Sequence, residues 1–181
     1  MIVALIIACE VGFWVLLAAG LALRYLAKMP RLGAAVLLCE PVMELVLLVV
    51  TTLDLKNGAV PDWKHGLAAL YIGYTVAYGH YTIKWLDGHA AYRLAGGPKP
   101  VGAGYGKARA AHEWRLWIRT LVAAAVALGL LQAAIWYVGD AGDVSSLKAW
   151  QYGALRVAGI HGLIAVGYTV WPKKAPAGQV S

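Results

Sequence analysis

Three carboxyl groups lie inside stretches of sequence that are otherwise apolar. Glu40 and Glu44 interrupt LLCEPVMELVLLVV, and Glu10 interrupts IIACEVGFW. Glu40 and Glu44 are four residues apart and therefore share a helical face, and Pro41 between them removes a backbone donor. A carboxylic acid that burial keeps neutral can hold a proton, bind a cation or act as a general acid. We therefore take these three glutamates as candidate proton or cation sites and as candidate catalytic acids.

The composition of the chain indicates that these glutamates lie in a membrane. Hydrophobic residues make up 61% of the 181 positions and charged residues 14%, whereas a soluble domain has about a quarter charged residues. The mean hydropathy is +0.64. The apolar residues form five blocks of about 20 residues, each long enough to cross a hydrocarbon core of about 30 Å. The sequence predicts an all-α polytopic membrane protein, a single domain over 1–181 whose five transmembrane helices span 2–23, 32–53, 65–85, 116–138 and 148–171.

The basic residues indicate an orientation. The formal net charge is +7, and most of the 16 Lys and Arg residues follow the first, third or last block. The positive-inside rule places those segments in the cytoplasm, with the N-terminus outside and the C-terminus inside a bacterial inner membrane. We expect these charges to contact anionic lipid headgroups and not nucleic acid. Within the basic loop 93–112, GAGYGK lacks the first glycine and the Ser/Thr of a phosphate-binding loop.

Polar residues of all five predicted helices fall at two depths. Counted from the outer helix ends at 1.5 Å per residue, the first level is about 9–14 Å deep and comprises Glu10, Glu44, Tyr74, Gln132 and Arg156. The second level, about 20–23 Å deep, comprises Glu40, His80 and His161. A charge that faces lipid costs about 2.5–3.5 kcal/mol on insertion scales, so these groups should face inward and pair. We predict a shared polar core of Glu10, Glu44 and Arg156, with Glu40 beside or beneath it.

Aromatic residues form a continuous face on the third predicted helix. Tyr71, Tyr74, Tyr78 and Tyr81 follow one another at spacings of three, four and three residues, so their side chains lie on one side of the helix. They either pack as rings with bonded hydroxyls or line a cavity. Trp14 lies one turn from Glu10 and shares its face. The full set of candidate ligand-binding residues is Glu10, Trp14, Glu40, Glu44, Tyr71, Tyr74, Tyr78, Gln132, Arg156 and His161.

Histidines raise the question of a cofactor. His80 and His161 are predicted at similar depths on different helices, as axial haem ligation would require. Single histidines in membranes more commonly form hydrogen bonds between helices. We therefore predict no cofactor and no metal site, and keep haem held by this pair as the alternative. The other histidines, at the predicted interfaces, are expected to contact water: His65, His89 and His112.

Small residues recur at helix-packing spacing on the third and fifth predicted helices. Rows of this type let two helix backbones approach closely. They seal the bundle or form a homo-oligomer, and the sequence leaves both open. The two rows are Ala69, Gly73 and Ala77, and Ala154, Ala158 and Gly162.

Three segments carry a resemblance to a known family. They are DLKNGAV, then HGLAALYIGYTVAYGHYTIKWLDGHAAYRLAGGPKP, then YGKARAAHEWRLW. Together they resemble the YmcC-like family of small, functionally uncharacterised bacterial multi-pass membrane proteins. The likeness extends over most of the chain and is most specific in the third helix and the loop after it. It implies a multi-pass protein of the bacterial inner membrane and supplies no catalytic residue.

Three classes of function remain open on the sequence. We favour an integral membrane protein that binds or transports a small solute or ion through the acidic core. The alternative is a membrane-embedded enzyme that acts on an isoprenoid or other lipid. In that case a buried carboxylic acid would be the general acid, and Trp14 with the tyrosine face would stabilise a cation. The third class is an accessory or assembly subunit with no chemistry of its own.

Overall fold

The described part of the chain consists of helices. The computed structural model describes the backbone of residues 2–174 and the side chains of residues 7–8, 11–93 and 96–174. A short 3₁₀ turn, Gly139–Ala141, follows the fifth helix. The predicted all-α fold is confirmed. The helices are α1 (Ile2–Tyr25), α2 (Pro30–Leu37), α3 (Glu40–Lys56), α4 (Lys64–Ala95), α5 (Gly106–Val138) and α6 (Ser145–Val170).

Two helices are longer than the apolar blocks that predicted them. α4 continues about ten residues past Trp85, and α5 begins about ten residues before Leu116, so each extends about 15 Å beyond its predicted span. The added residues are rich in Ala, Leu, Lys and Arg, which are good helix formers. α4 ends at Gly96, whose φ of +64° is the left-handed conformation typical of a helix C-terminus. The basic loop predicted over 93–112 is therefore reduced to 96–105.

The helix predicted over 32–53 is interrupted at Leu38–Cys39. Pro41 has no N–H with which to bond the carbonyl of Leu37, four residues before it. The backbone tightens there, and the N–H of Cys39 bonds the carbonyl of Val36, three residues back, at 3.0 Å. The break makes Glu40 the first residue of α3, where the positive end of the helix dipole favours a negative charge.

The helices form one packed bundle. α3 packs against three helices, α1, α4 and α5. The helices α4, α5 and α6 all pack against one another, and α2 packs against α1. The main core contains residues of four helices, α3, α4, α5 and α6. They are Leu48, Leu55, Ala68, Ala69, Leu131, Ala134, Val138 and Leu147. A second core cluster consists of Ala124, Ala154 and Ala158.

The rows of small residues pack inside the chain. A Cβ at Gly73 would meet the carbonyl oxygen of Ala123 and, at 3.3 Å, the Cβ of Ala127. A Cβ at Gly162 would lie 2.9 Å from Nε1 of Trp117. The close approaches of α4 to α5 and of α5 to α6 therefore depend on these glycines.

The described helices fit a membrane environment. Three helical segments are long and apolar enough to cross a membrane by length and composition. They are Pro30–Lys56, which consists of α2 and α3, Gly106–Ala141, which consists of α5 and the 3₁₀ turn, and Ser145–Val170. In α1, the described stretch Val11–Tyr25 is also apolar. Large apolar side chains are exposed along these helices, including Val11, Leu38, Ile160 and Leu163. Contact with hydrocarbon accounts for an apolar surface that soluble proteins rarely show.

Polar contacts join the helices at both ends of the bundle. At one end, Arg24 of α1 donates from Nε to Asp87 of α4 at 2.8 Å, and Tyr25 donates to the same carboxylate at 2.9 Å. At that end the N–H of Gly106 also bonds the carbonyl of Lys173 at 2.9 Å. At the other end, Nε1 of Trp150 donates to the carbonyl of Trp63 at 2.6 Å. The basic segments before α2, between α4 and α5, and after α6 thus lie at the same end.

Candidate functional site

An apolar cavity of about 560 Å³ lies between α4, α5 and α6. Tyrosines from α4 form one wall, and small residues from the other two helices leave the space in front of them. The cavity has the size of typical small-molecule sites, which is about 300–1,000 Å³. We call it the tyrosine cavity. The residues that line this cavity include Tyr71, Tyr74, Tyr78, Thr120, Ala127 and Val157.

The tyrosine wall is ordered by ring contacts. Tyr74 and Tyr78 stack with centroids 5.2 Å apart and planes 9° apart. Phe13 of α1 lies 5.5 Å from the ring of Tyr71, centroid to centroid, which connects α1 to the same wall. The Tyr74 hydroxyl also lies 2.9 Å from Oγ1 of Thr82. Both options left open by the sequence therefore occur together, since the rings pack on one another and also line a cavity.

A hydrogen-bonded chain links all three helices at one edge of the tyrosine cavity. The Tyr78 hydroxyl lies 2.7 Å from the carbonyl of Leu116 and 2.6 Å from Oγ1 of Thr120. Oγ1 of Thr120 lies 2.6 Å from Nδ1 of His161. Oγ1 of Thr120 also lies 3.2 Å from the carbonyl of Leu116. One arrangement of protons satisfies the three shorter contacts, because a carbonyl can only accept. In it His161 donates to Thr120, Thr120 donates to Tyr78, and Tyr78 donates to the carbonyl of Leu116.

Sequence reasoning selected Tyr78 and His161 but missed the residue that joins them. Thr120 is 8% exposed and sits on the buried face of α5. A threonine in an apolar helix is a weak signal because it commonly bonds its own preceding turn. Its spacing of four residues from Leu116 and Ala124 places it on the face of α5 that meets α4 and α6, and that was the signal available.

The two glutamates of α3 lie on and beside its core face. Glu44 is 5% exposed and continues the buried row of Leu48, Thr51 and Leu55. Glu40 is half-buried, and its Oε1 is buried with no hydrogen-bond partner among the described residues. Neither carboxyl group lines the tyrosine cavity. The side chain of Glu10 lies outside the described residues.

The remaining candidates are distributed over three helices. Gln132 of α5 accepts a hydrogen bond from Nε2 of Gln151 of α6 at 3.1 Å. Trp14 is 65% exposed and meets Phe13 edge to face. Arg156 is exposed on α6, and among the described ion pairs none joins it to Glu40 or Glu44. The core predicted around Glu10, Glu44 and Arg156 stays a prediction.

The histidines do not form an obvious cofactor site. Within residues 11–93 and 96–174, no group of three or more His, Cys, Asp or Glu side chains could hold a metal ion. His80 is exposed on α4, whereas His161 belongs to the hydrogen-bonded chain. Haem ligation by this pair gains no supporting contact from the structure.

His65 differs from the expectation of a water-exposed interfacial residue. It is 5% exposed, and its Nε2 lies 3.9 Å from Oδ2 of Asp54. Its Nδ1 lies 2.9 Å from the N–H of Asp62. The approach of His65 to Asp54 joins the first turn of α4 to the last turns of α3, a tertiary contact that hydropathy does not reveal.

A second cavity, of about 520 Å³, lies at the end of the bundle that carries the basic segments. Its walls are the last turns of α4, the segment 96–105 and the first turns of α5. We call it the basic cavity. Its lining includes Tyr81, Trp85, His89, Arg109, His112 and Arg115. His89 and His112, which were expected to contact water, are half-buried and line this cavity.

These features define a helical integral membrane protein. The chain is 37% identical over 178 residues, covering 96% of its length and 94% of the relative, to a protein of Bacillus subtilis described as "Uncharacterized membrane protein YmcC". The chain belongs to the family of that membrane protein, as the resemblance predicted. No protein-family model matches the chain, and no solved structure matches it.

Proposed function

We propose that this membrane protein binds a lipophilic molecule with an extended hydrocarbon chain, such as a lipid acyl or isoprenoid chain, in the tyrosine cavity. The observation that carries the proposal is the lining, which is apolar apart from the hydroxyls of Thr120 and three tyrosines. Val157 lines the cavity and is also 57% exposed, so the cavity opens toward the surroundings of α6. In a bilayer that surrounding is hydrocarbon, from which a lipid chain can enter without crossing water.

The hydroxyls at the edge of the cavity would orient the ligand. The tyrosine rings supply flat apolar faces, and the chain from Tyr78 to His161 supplies a polar boundary. Small-molecule sites commonly combine an apolar lining with a few placed polar groups in this way. The described carboxyl groups lie outside the lining, which favours binding of a ligand over acid catalysis on it.

The test is native mass spectrometry of the protein extracted in a neutral detergent, with added dioleoylglycerol as the probe. Val157→Trp should fill the mouth of the cavity and remove the bound lipid. Val166→Trp is the matched control, because Val166 is also an exposed valine of α6 and lies outside the lining. A lipid adduct that persists equally in both variants would refute the proposal.

A second candidate function is proton or cation binding at the glutamates of α3. It is supported by the burial of Glu44 and of Oε1 of Glu40 inside a helix of a candidate span. Ionisable residues within membrane spans are commonly functional. Glu44→Gln should abolish a pH-dependent solute flux in proteoliposomes, whereas Asp140→Asn, at an exposed acid of the 3₁₀ turn that follows α5, should not. An unchanged flux in the glutamine variant would eliminate this candidate.

We also propose the orientation and span count that the basic residues suggest. In this arrangement α1 and α4 cross the bilayer with the three long apolar helices, the N-terminus is outside and the basic end faces the cytoplasm of a bacterium. Single cysteines at Asn57 and Lys99, in the two opposite end segments, would be labelled from opposite sides by a membrane-impermeant maleimide. Labelling of both from the same side would contradict the arrangement.

A further inference from the structure

We propose that the basic cavity binds the phosphate group of an amphiphile whose hydrocarbon chain occupies the tyrosine cavity. The ligand would therefore be a lipid phosphate. This inference rests on the function proposed above and adds the chemical class of the ligand.

The two cavities follow one another along a single face of α4. Tyr71, Tyr74 and Tyr78 line the first cavity, and Tyr81, Trp85 and His89 line the second. Successive members of this row are three or four residues apart, so all six side chains lie on the same side of the helix. Tyr78 and Tyr81 meet edge to face with centroids 6.3 Å apart, and they mark the boundary between the two cavities.

α5 provides the opposite wall of both cavities in the same way. Ala127, Ala123 and Thr120 line the tyrosine cavity, and His112 and Arg109 line the basic cavity. Their spacing again follows one helical face. A ligand lying between α4 and α5 would therefore meet apolar walls first and cationic walls about two turns later.

The basic cavity contains the groups that bind phosphate. Arg109 and Arg115 are guanidinium groups, which bind phosphate oxygens in a bidentate manner. Arg109 is held by an ion pair with Glu113 at 2.6 Å and lies over the ring of Tyr168, 5.0 Å from its centroid. Its Nε is buried and makes no hydrogen bond within the described part of the chain, so the hydrogen-bonding capacity of this guanidinium, which lines the cavity, is not used up.

The other cation and the histidines complete the cavity. Arg115 is exposed, and its hydrogen bond to the residues that the structure describes is from Nε to the carbonyl of Ala111 at 3.3 Å, so its terminal amino groups remain available. The Nδ1 of His89 lies 2.8 Å from the carbonyl of Trp85, which leaves Nε2 for a ligand. Among the lining residues none is acidic, and the nearby carboxylate of Asp87 is engaged by Arg24.

The separation of the cavities suits a membrane lipid. Tyr74 and Trp85 are eleven positions apart on one helix, or about 16 Å along its axis. The predicted span of α4 ends at Trp85, and tryptophan is enriched at the membrane interface. The phosphate would therefore lie at headgroup level while the chain lies within the hydrocarbon.

The experiment compares dioleoyl phosphatidic acid with dioleoylglycerol, which differ only in the phosphate, by native mass spectrometry of the whole protein in neutral detergent. Arg115→Gln should weaken phosphatidic acid binding at least about ten-fold, the loss expected for a hydrogen bond to a charged group, and leave dioleoylglycerol binding unchanged. Arg93→Gln is the control, because Arg93 is an exposed arginine near the end of α4 that does not line the cavity. His89→Gln provides a second lining variant, and thermal unfolding verifies that each variant is folded.

Two results would overturn the inference. One is equal binding of the two lipids by the unaltered protein, and the other is an equal loss in Arg115→Gln and Arg93→Gln. Sodium phosphate added as a competitor identifies the source of the phosphate. If it displaces phosphatidic acid down to the level of dioleoylglycerol, the site accepts free phosphate; if it has no effect, the phosphate must arrive on a lipid.

The outcomes also separate this inference from the function it rests on. Binding of dioleoylglycerol that is lost in Val157→Trp, without any preference for the phosphate, would leave the tyrosine cavity in place and refute only the basic site. A preference for the phosphate that is lost in Arg115→Gln but unaffected by Val157→Trp would support the basic site and refute binding in the tyrosine cavity.

Discussion

Replacement of Thr120 with valine should destabilise the bundle by breaking the hydrogen-bonded chain from His161 to Tyr78. The change keeps the shape of the side chain and removes one oxygen, which contacts both partners at 2.6 Å. Tyr78 can still donate to the carbonyl of Leu116, whereas Nδ1 of His161 has no other contact of this kind within the described residues. The cost is therefore expected to come mainly from the histidine.

The magnitude follows from the contacts with Tyr78 and His161, the two shortest of the three that are lost. Hydrogen bonds between membrane helices contribute about 0.6 kcal/mol on average and at most about 1.7 kcal/mol. A buried donor left without a partner costs about 1–3 kcal/mol. We therefore expect the free energy of unfolding to fall by about 1–3 kcal/mol. Reversible unfolding in mixed micelles, followed by loss of helical circular dichroism, measures this quantity.

Two comparisons make this measurement decisive. Thr169→Val is the matched control, because Thr169 is an exposed threonine whose Oγ1 accepts a bond from Nε1 of Trp114 at 2.9 Å, and its loss should cost less. In a double-mutant cycle, Tyr78→Phe and Thr120→Val should be non-additive by about 0.5 kcal/mol or more, because they share a contact. Strict additivity, or an unchanged stability in Thr120→Val, would show that the chain does not connect the helices.

Two further predictions concern the supports of the site. Gly73→Ala should destabilise the protein by about 1–3 kcal/mol in the same assay, because the new Cβ would meet the carbonyl of Ala123. Gly79→Ala, whose Cβ would meet only Cγ2 of Thr75 at 3.6 Å, should be neutral or stabilising; equal effects would contradict the close crossing. Asp87 lies past the predicted span, and the hydrogen bonds from Arg24 lower the pKa of its carboxyl group. The stabilisation is therefore complete above its ordinary pKa of about 3.9 and is lost as the pH falls through the lowered value. The stability difference between Asp87→Asn and the unaltered protein, about 1 kcal/mol or less for this 42% exposed side chain, should disappear at strongly acidic pH. A difference that does not change with pH would refute the role of the carboxylate charge.

Helical periodicity predicted the faces of the helices better than their partners. The spacing of Tyr71, Tyr74 and Tyr78 identified one wall of the tyrosine cavity, because side chains three and four residues apart must share a side of a helix. The spacing contains no information on which helix faces that wall. The alanines of α5 and α6 that leave room for a ligand are ordinary residues of apolar helices, so no local signal marks them.

Depth along the membrane normal gives only one of the conditions for a contact. Arg156 and Glu44 were predicted at similar depths, which is a condition for pairing but does not describe how each helix is turned about its axis. In the structure α6 packs against α5 and α4, and Arg156 lies on the exposed side of α6. Tyr152 and Ile160, four residues before and after Arg156, are exposed as well. The sequence shows that these residues share one face of α6, but it does not show that this face is exposed.

Hydropathy analysis assigns residues on the two sides of a predicted span boundary to different elements, even when they lie on one face of one helix. Such analysis ended the third span at Trp85 because the apolar residues become sparse there, yet α4 continues to Ala95 and the row of tyrosines continues into Trp85 and His89. The same boundary separated Arg109 and His112 of α5 from Thr120, although all three lie on one face of one helix. The sequence therefore predicted only that the basic residues of the loop contact lipid headgroups. It treated the tyrosines of the span as a separate feature. An amphiphilic ligand needs both at once, because its phosphate and its chain are covalently joined and must be bound on either side of that boundary by the same pair of helices.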